Sequence, residues 1–336
     1  MFTGIRSNSR HRSGSRAGFT LIELLVVIAI IALLIAILLP SLEAARRQSK
    51  QSACLSHIKN IATSSRVYEA DDPSGWGIPV HPKQFFQCGP DHPSDEMCND
   101  PWFIGAYEFG GKAGIGEPNA CEYVADPRLN GKYSTACGFG PATRPMNDIL
   151  YKGGFRSAWV KGTFLRDQAE RDTTLDLELF QCPADDGPPR GAHCPDWIAH
   201  TERSSFDHFG NSFAANVFMV ANQQGGVMRT NSPYMRPTSR VPTPARTLYY
   251  EENIGRWAWS CWREQCDFLG GVDPGPTREV RGWHGKPWTF NRAFVDAHAE
   301  TQKIYIEGTE DGDGWAMHYR SEIVFPDNVS KQDAYR

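Results

Sequence analysis

Sixteen consecutive apolar residues, Leu24 to Leu39, follow a single acid, Glu23. As a helix rising roughly 1.5 Å per residue, the segment from Phe19 to Leu39 is long enough to cross a hydrocarbon core about 30 Å thick. A carboxylate at the start of such a run is costly in lipid and needs a partner. Nothing in its own helix is expected to supply one. The leader, residues 1–18, carries Arg6, Arg10, Arg12 and Arg16 and no acid. It is rich in Ser and Gly without apolar periodicity, which predicts disorder. Its arginines should stay on the cytoplasmic side, so that everything after Pro40 is exported. A secretory signal peptide would have a shorter apolar core followed by a small-residue cleavage site. This run ends instead in Leu38-Leu39-Pro40-Ser41-Leu42-Glu43. A plain single-pass anchor accounts for the apolar run but not for Gly18-Phe19 or Glu23.

Gly18-Phe19-Thr20-Leu21-Ile22-Glu23 resembles the class III signal of type IV pilins and pseudopilins. The resemblance implies cleavage between Gly18 and Phe19 by a prepilin peptidase and N-methylation of the new Phe19 amine. It also implies packing against identical or related pilin-like subunits on an inner-membrane assembly platform. Gly18 leaves the scissile bond sterically open. In a packed fibre Glu23 would pair with the Phe19 amine of a neighbouring subunit. Pairing relieves the cost of a charge in lipid, which favours assembly and sets axial register.

Pro40 would break one hydrogen bond inside a helix and bend its axis. Pilin helices often carry a proline near this point, so Pro40 resembles a kink between a membrane half, residues 19–40, and an exported amphipathic half, residues 41–70. Leu42, Ala45, Leu55, Ile58 and Ala62 fall near one helical face, with Arg46, Arg47, Lys50 and Lys59 elsewhere. Asp71-Asp72-Pro73-Ser74-Gly75 supplies the stop.

Residues 71–336 form the exported head, ample for one large core or two smaller ones. The chain's net charge is −4; without the leader's four arginines it is −8, which argues against a broad nucleic-acid-binding face. The 31 glycines, 23 prolines and short apolar runs indicate a loop-rich, mainly antiparallel β head. The predicted fold class is therefore α+β, a long N-terminal helix packed on an antiparallel sheet. Strands are expected at residues 158–165, 212–221, 247–251, 256–262, 289–295 and 301–306. The last two flank Asp296-Ala297-His298 as a hairpin within 289–306.

Of nine cysteines, eight follow the stem: Cys88, Cys98, Cys121, Cys137, Cys182, Cys194, Cys261 and Cys266. They fall into four close sequential pairs, and in an oxidising compartment four local disulfides are the economical expectation. Connectivity stays open, since eight cysteines permit 105 pairings. Cys54, on the stem, is expected to be a small buried apolar residue rather than an intermolecular bridge.

Four further blocks carry a second resemblance. They are Ala44-Ala45-Arg46-Arg47 with Cys54-Leu55-Ser56-His57-Ile58-Lys59 and Tyr68; Phe180-Gln181-Cys182-Pro183-Ala184-Asp185-Asp186; Ser212-Phe213-Ala214-Ala215-Asn216; and His284 through Phe294-Val295-Asp296-Ala297-His298-Ala299-Glu300. Together they resemble the large pilin-like proteins, similar to type II secretion system protein G, whose C-terminal element is a His, nine residues and Asp-Gly. Here eleven residues separate His284 from Asp296, and Ala297 stands where the glycine would be.

His284, Asp296 and His298 have the residue types of a metal or acid–base cluster, but their place at a strand turn favours a structural role. Cys182, His193 and Cys194 are zinc-ligand types without C-x-x-C spacing, so a disulfide is expected there. Glu310-Asp311-Gly312-Asp313-Gly314 resembles the C-terminal calcium loop of major pseudopilins, with Asp311 and Asp313 as candidate ligands, but it lacks the EF-hand ladder and its terminal glutamate, so a plain solvated acidic turn is expected. Trp257 and Trp259 share a strand face, with Trp262 nearby, as core residues or as a sugar-stacking surface. No Gly-rich phosphate loop, nucleophile elbow or H-E-x-x-H is present.

The function expected is a structural, non-enzymatic subunit of a type IV pilus-like or type II secretion pseudopilus fibre. It would sit in the bacterial inner membrane with its N-terminus cytoplasmic and its head exported. The alternative is an exported carbohydrate-binding module or enzyme that uses a pilin-type anchor in the bilayer.

Overall fold

The computed structural model describes residues 20–79, 106–116, 124–152, 154–188, 203–216, 233, 237–241, 244–255 and 281–303. The expected strand at 256–262, Trp257, Trp259, Trp262, His193 and the calcium-type loop lie outside these residues, as do Gly18, Phe19, Cys88, Cys98, Cys121, Cys194, Cys261, Cys266, Asp311 and Asp313. The chain divides into two compact units, Met1–Arg46 and Arg47–Arg336.

Helix α1 runs Leu21–Asp71, with Pro40 in its interior rather than at its end. A proline there removes the bond to the carbonyl four residues back. The next residue, Ser41, donates its hydroxyl to the Leu38 carbonyl at 2.8 Å. In the first unit every described side chain of the helix is exposed, including Leu21, Ile22, the apolar run and Leu42.

In the second unit the same helix buries Cys54, His57, Ile58, Ile61, Ala62 and Ser65. Their spacing of three and four residues is the stripe of a core-facing helix. This corrects the expected face. Ile58 and Ala62 belong to it, Leu55 is half-buried at its border, and Leu42 and Ala45 are exposed. Burying an isoleucine such as Ile58 or Ile61 contributes about 1.5–3 kcal/mol.

The stripe lies on a four-stranded antiparallel sheet of β3 (Phe213–Ala215), β4 (Leu248–Glu252), β5 (Thr289–Phe294) and β6 (Ala299–Lys303), in that spatial order. The α+β architecture is therefore present. Strand alternation sends Tyr250 and Glu252 of β4 and Asn291 of β5 toward the helix. Ser65 meets the Tyr250 hydroxyl at 2.5 Å, the Asn291 amide donates to the Gln51 carbonyl at 3.3 Å, and Gln51 donates to Thr301 of β6 at 2.9 Å. On the opposite face, Glu251 and Arg292 are register partners whose buried side chains pair at 3.0 Å.

β5 and β6 form a hairpin around Asp296-Ala297-His298. The Ala297 amide donates to the Phe294 carbonyl at 2.8 Å, and the Phe294 amide to the His298 carbonyl at 2.9 Å. Ala297 has φ +68°. A turn followed by one left-handed residue is the three-residue hairpin loop, whose left-handed position favours glycine.

Residues 158–165 are not one strand. They are a tight hairpin of β1 (Trp159–Val160) and β2 (Thr163–Phe164). Lys161 and Gly162 between them have φ +49° and +80°, the paired positive values of a two-residue hairpin turn.

Short helices fill in the remainder of the head: α2 (Met146–Leu150), α3 (Arg166–Thr173) and α4 (Ser205–Phe209). Buried Arg144 gathers the segments before α2 and the end of α4. Its guanidinium donates to the carbonyls of Phe139, Tyr107, Gly110, Tyr133 and Phe209 at 2.8–3.3 Å. Burial pulls its pKa down to about 10, so it remains cationic at neutral pH.

Candidate functional site

Two places concentrate chemistry. The first is the start of α1. The Thr20 amide and hydroxyl both donate to Glu23 Oε2 at 2.8 Å, and the Glu23 amide donates to Thr20 Oγ1 at 3.2 Å. This reciprocal capping box satisfies donors that a helix start leaves open. It corrects the expectation that Glu23 has no partner in its own helix. The signal was the Thr-x-x-Glu spacing itself. Glu23 Oε1 accepts no hydrogen bond among the described residues.

The second place lies where α1 meets the sheet. Cys54 on α1, Cys182 in the loop after Phe180, Glu252 at the end of β4 and His284 before β5 converge there, all buried. One ligand-type atom from each lies within 4.8 Å of the others. Glu252 Oε1 is the hub. It accepts from the Cys54 thiol at 2.9 Å and meets His284 Nε2 at 2.8 Å, and Cys182 Sγ is 4.0 Å away. Cys182 Sγ also lies 3.7 Å from His284 Nε2. The carboxylate is oriented by Asn291, whose side-chain amide donates to Oε1 at 2.9 Å and whose backbone amide donates to Oε2 at 3.0 Å.

Burial pushes the Cys54 thiol well up, and hydrogen bonding with Cys182 and the charge of Glu252 push the same way, so the thiol keeps its proton at neutral pH. Burial pulls His284 down, but its hydrogen bonds to Cys182 and Glu252 and the Glu252 charge outweigh it and lift it to about 10. The cluster is thus a buried histidine–carboxylate contact flanked by two thiols.

This overturns the disulfide expected for Cys182, which is a free thiol. Its side chain points under the helix toward Glu252 and His284, where it is 1% exposed. Cys54 is buried and free, and it is a hydrogen-bond donor rather than only an apolar filler. Cys137 is disulfide-bonded.

The family element is divided between two environments. His284 joins the buried cluster. Asp296 and His298 stay at the exposed hairpin tip, where His298 Nδ1 meets Asp296 Oδ1 at 2.5 Å and the imidazole stacks on Phe294. Glu252 is the residue that sequence reasoning missed. An acid on the helix-facing side of a core strand was the available signal.

Residues 14–39 match the family described as the prokaryotic N-terminal methylation motif. The type IV wide pilus major component PilA4 of Thermus thermophilus is 44% identical over 57 residues, 17% of this chain and 44% of that protein. The chain thus spans less than half the length of the curated relative it matches. No solved structure matches it. The matched motif, the apolar helix it opens and the capped Glu23 near its start support a type IV pilin-like reading of the N-terminal segment.

Proposed function

We propose that this chain is a structural, non-enzymatic subunit of a type IV pilus-like or pseudopilus fibre, cut after Gly18 by a prepilin peptidase and N-methylated at Phe19. The observation that carries the reading is α1 itself. From Leu21 to Leu42 its large apolar side chains are exposed, and an acid stands near its start. An apolar surface of that length needs a bilayer or the helices of other subunits to cover it. The subunit waits in the inner membrane with its arginine-bearing leader cytoplasmic and its head exported, and then moves into the fibre through an assembly platform.

Capping by Thr20 gives Glu23 a specific part in this scheme. The box holds one carboxylate oxygen at the helix start, and the other receives the Phe19 amine of a neighbouring subunit. The pairing neutralises a charge in an apolar surrounding and defines how far one subunit is displaced along the next.

Co-expression with a prepilin peptidase tests the processing. The expected mass is that of the chain from Phe19 plus one methyl group, and a chain that retains its leader overturns the reading. Glu23→Ala is expected to insert into membranes at the wild-type level and to be lost from sheared fibres. Undiminished incorporation would refute the role given to Glu23.

A further inference from the structure

We propose that Cys54, Cys182, Glu252 and His284 are a four-ligand site for a zinc-class divalent cation that fastens helix α1 to the sheet of the head. This does not rest on the fibre reading. Two thiols, an imidazole and a carboxylate are the ligand types of zinc, which takes them four at a time in tetrahedral geometry.

With metal–ligand bonds of about 2.0–2.3 Å, the ligand atoms of such a tetrahedron stand about 3.3–3.8 Å apart. Cys182 Sγ to His284 Nε2 is 3.7 Å and Cys182 Sγ to Glu252 Oε1 is 4.0 Å. The contacts of Glu252 Oε1 with Cys54 Sγ and His284 Nε2, at 2.9 and 2.8 Å, are at hydrogen-bond length. Opening them by about half an ångström reaches the tetrahedral spacing.

The surroundings of the carboxylate also fit, whereas His284 Nδ1 is buried without a hydrogen-bond partner among the described residues. A metal-ligating carboxylate needs a partner that fixes its orientation. Asn291 bonds both Glu252 oxygens, and it is itself held by the Thr301 hydroxyl at 2.6 Å and by the Gln51 carbonyl. Cys54, Cys182 and Glu252 are at most 1% exposed and His284 is 7% exposed. A closed site of four protein ligands is structural rather than catalytic. Its ligands come from four separate segments, so the ion would join the helix, a loop, β4 and the approach to β5 in one step. On binding, the thiols and the imidazole release their acidic protons to solvent.

A disulfide between Cys54 and Cys182 is the competing use of the two thiols, and it would leave Glu252 and His284 without a shared task. The test uses the untagged full-length chain in detergent, purified without chelator. Elemental analysis after incubation with zinc and gel filtration is expected to find about one zinc per chain. Replacement by cobalt is expected to give the visible bands of a tetrahedral ion and near-ultraviolet thiolate charge transfer. Cys182→Ser should abolish both signals. Asn291→Ala keeps all four ligands and should weaken zinc affinity about 10- to 100-fold. Substoichiometric zinc with both thiols free to alkylation overturns the proposal, and so does a Cys54–Cys182 disulfide in the purified wild-type chain.

Discussion

Asp185 accepts a 2.6 Å hydrogen bond from the hydroxyl of Ser212, joining the loop after Phe180 to the entry of β3. The same carboxylate takes the amides of Ser205 and Phe206 at the start of α4 and the amide of Gly187, at 2.9–3.0 Å. One acid thus fixes three segments.

Burial lifts Asp185 to about 6, against the downward pull of its four donors. An unfolded aspartate releases its proton near pH 4. Between those values the folded state holds more protons, so the stability that this group contributes is greatest below about pH 4 and declines as pH rises to about 6. Asp185→Asn removes that dependence. Its amide also faces N–H donors, at a cost of about 1–3 kcal/mol. Denaturant melts of both proteins from pH 4 to 7 check this. The wild type's advantage should shrink toward pH 6, and a constant gap would refute the assignment.

Arg144 spends its guanidinium donors on five backbone carbonyls. Lysine has three donors and no planar fork, so Arg144→Lys cannot serve the same carbonyls. Arg144→Lys and Arg144→Met should each cost roughly 3 kcal/mol or more, because buried carbonyls are left unpaired. Thermal unfolding of the head measures it. A Lys variant as stable as the wild type would show that the carbonyls find other partners.

Ala297 holds a left-handed φ of +68° at the tip of the β5–β6 hairpin. A side chain in that region costs roughly 1–2 kcal/mol, and glycine avoids most of the strain. Greater freedom in the unfolded chain takes part of the gain back. Ala297→Gly is therefore expected to raise stability by roughly 0.5–1 kcal/mol. Chemical denaturation reads the change, and a loss of stability would refute the strain.

The long helix is legible because its signals are local: an unbroken apolar run, then a stripe at helical spacing, then Asp-Asp-Pro. Strands β4 and β5 are legible from short β-rich runs bounded by turn residues. The 158–165 segment misleads because Lys161, at the turn, has no turn preference, and Gly162 alone does not mark a two-residue hairpin. The stem face is misplaced toward Leu42 because apolar spacing cannot distinguish a side chain that meets the head from one that meets lipid or another helix. The buried cluster is hidden for a different reason. Cys54 and Glu252 are 198 positions apart and Cys182 and His284 are 102 apart. Proximity in sequence instead pairs Cys182 with Cys194. Convergence over such distances is a property of the sheet, with no local pattern to announce it.

The bond from Gln51 to Thr301 spans 250 positions, from the first buried turns of the helix to the last described strand. At about 5–20 residues per second, a ribosome needs on the order of 10–50 s to make the chain between them. Until β3, β4 and β5 have been made, Ile58, Ile61 and their neighbours have no sheet to lie on. The stem face is made early and covered late, so a chain stalled before β4 leaves that stripe without its cover.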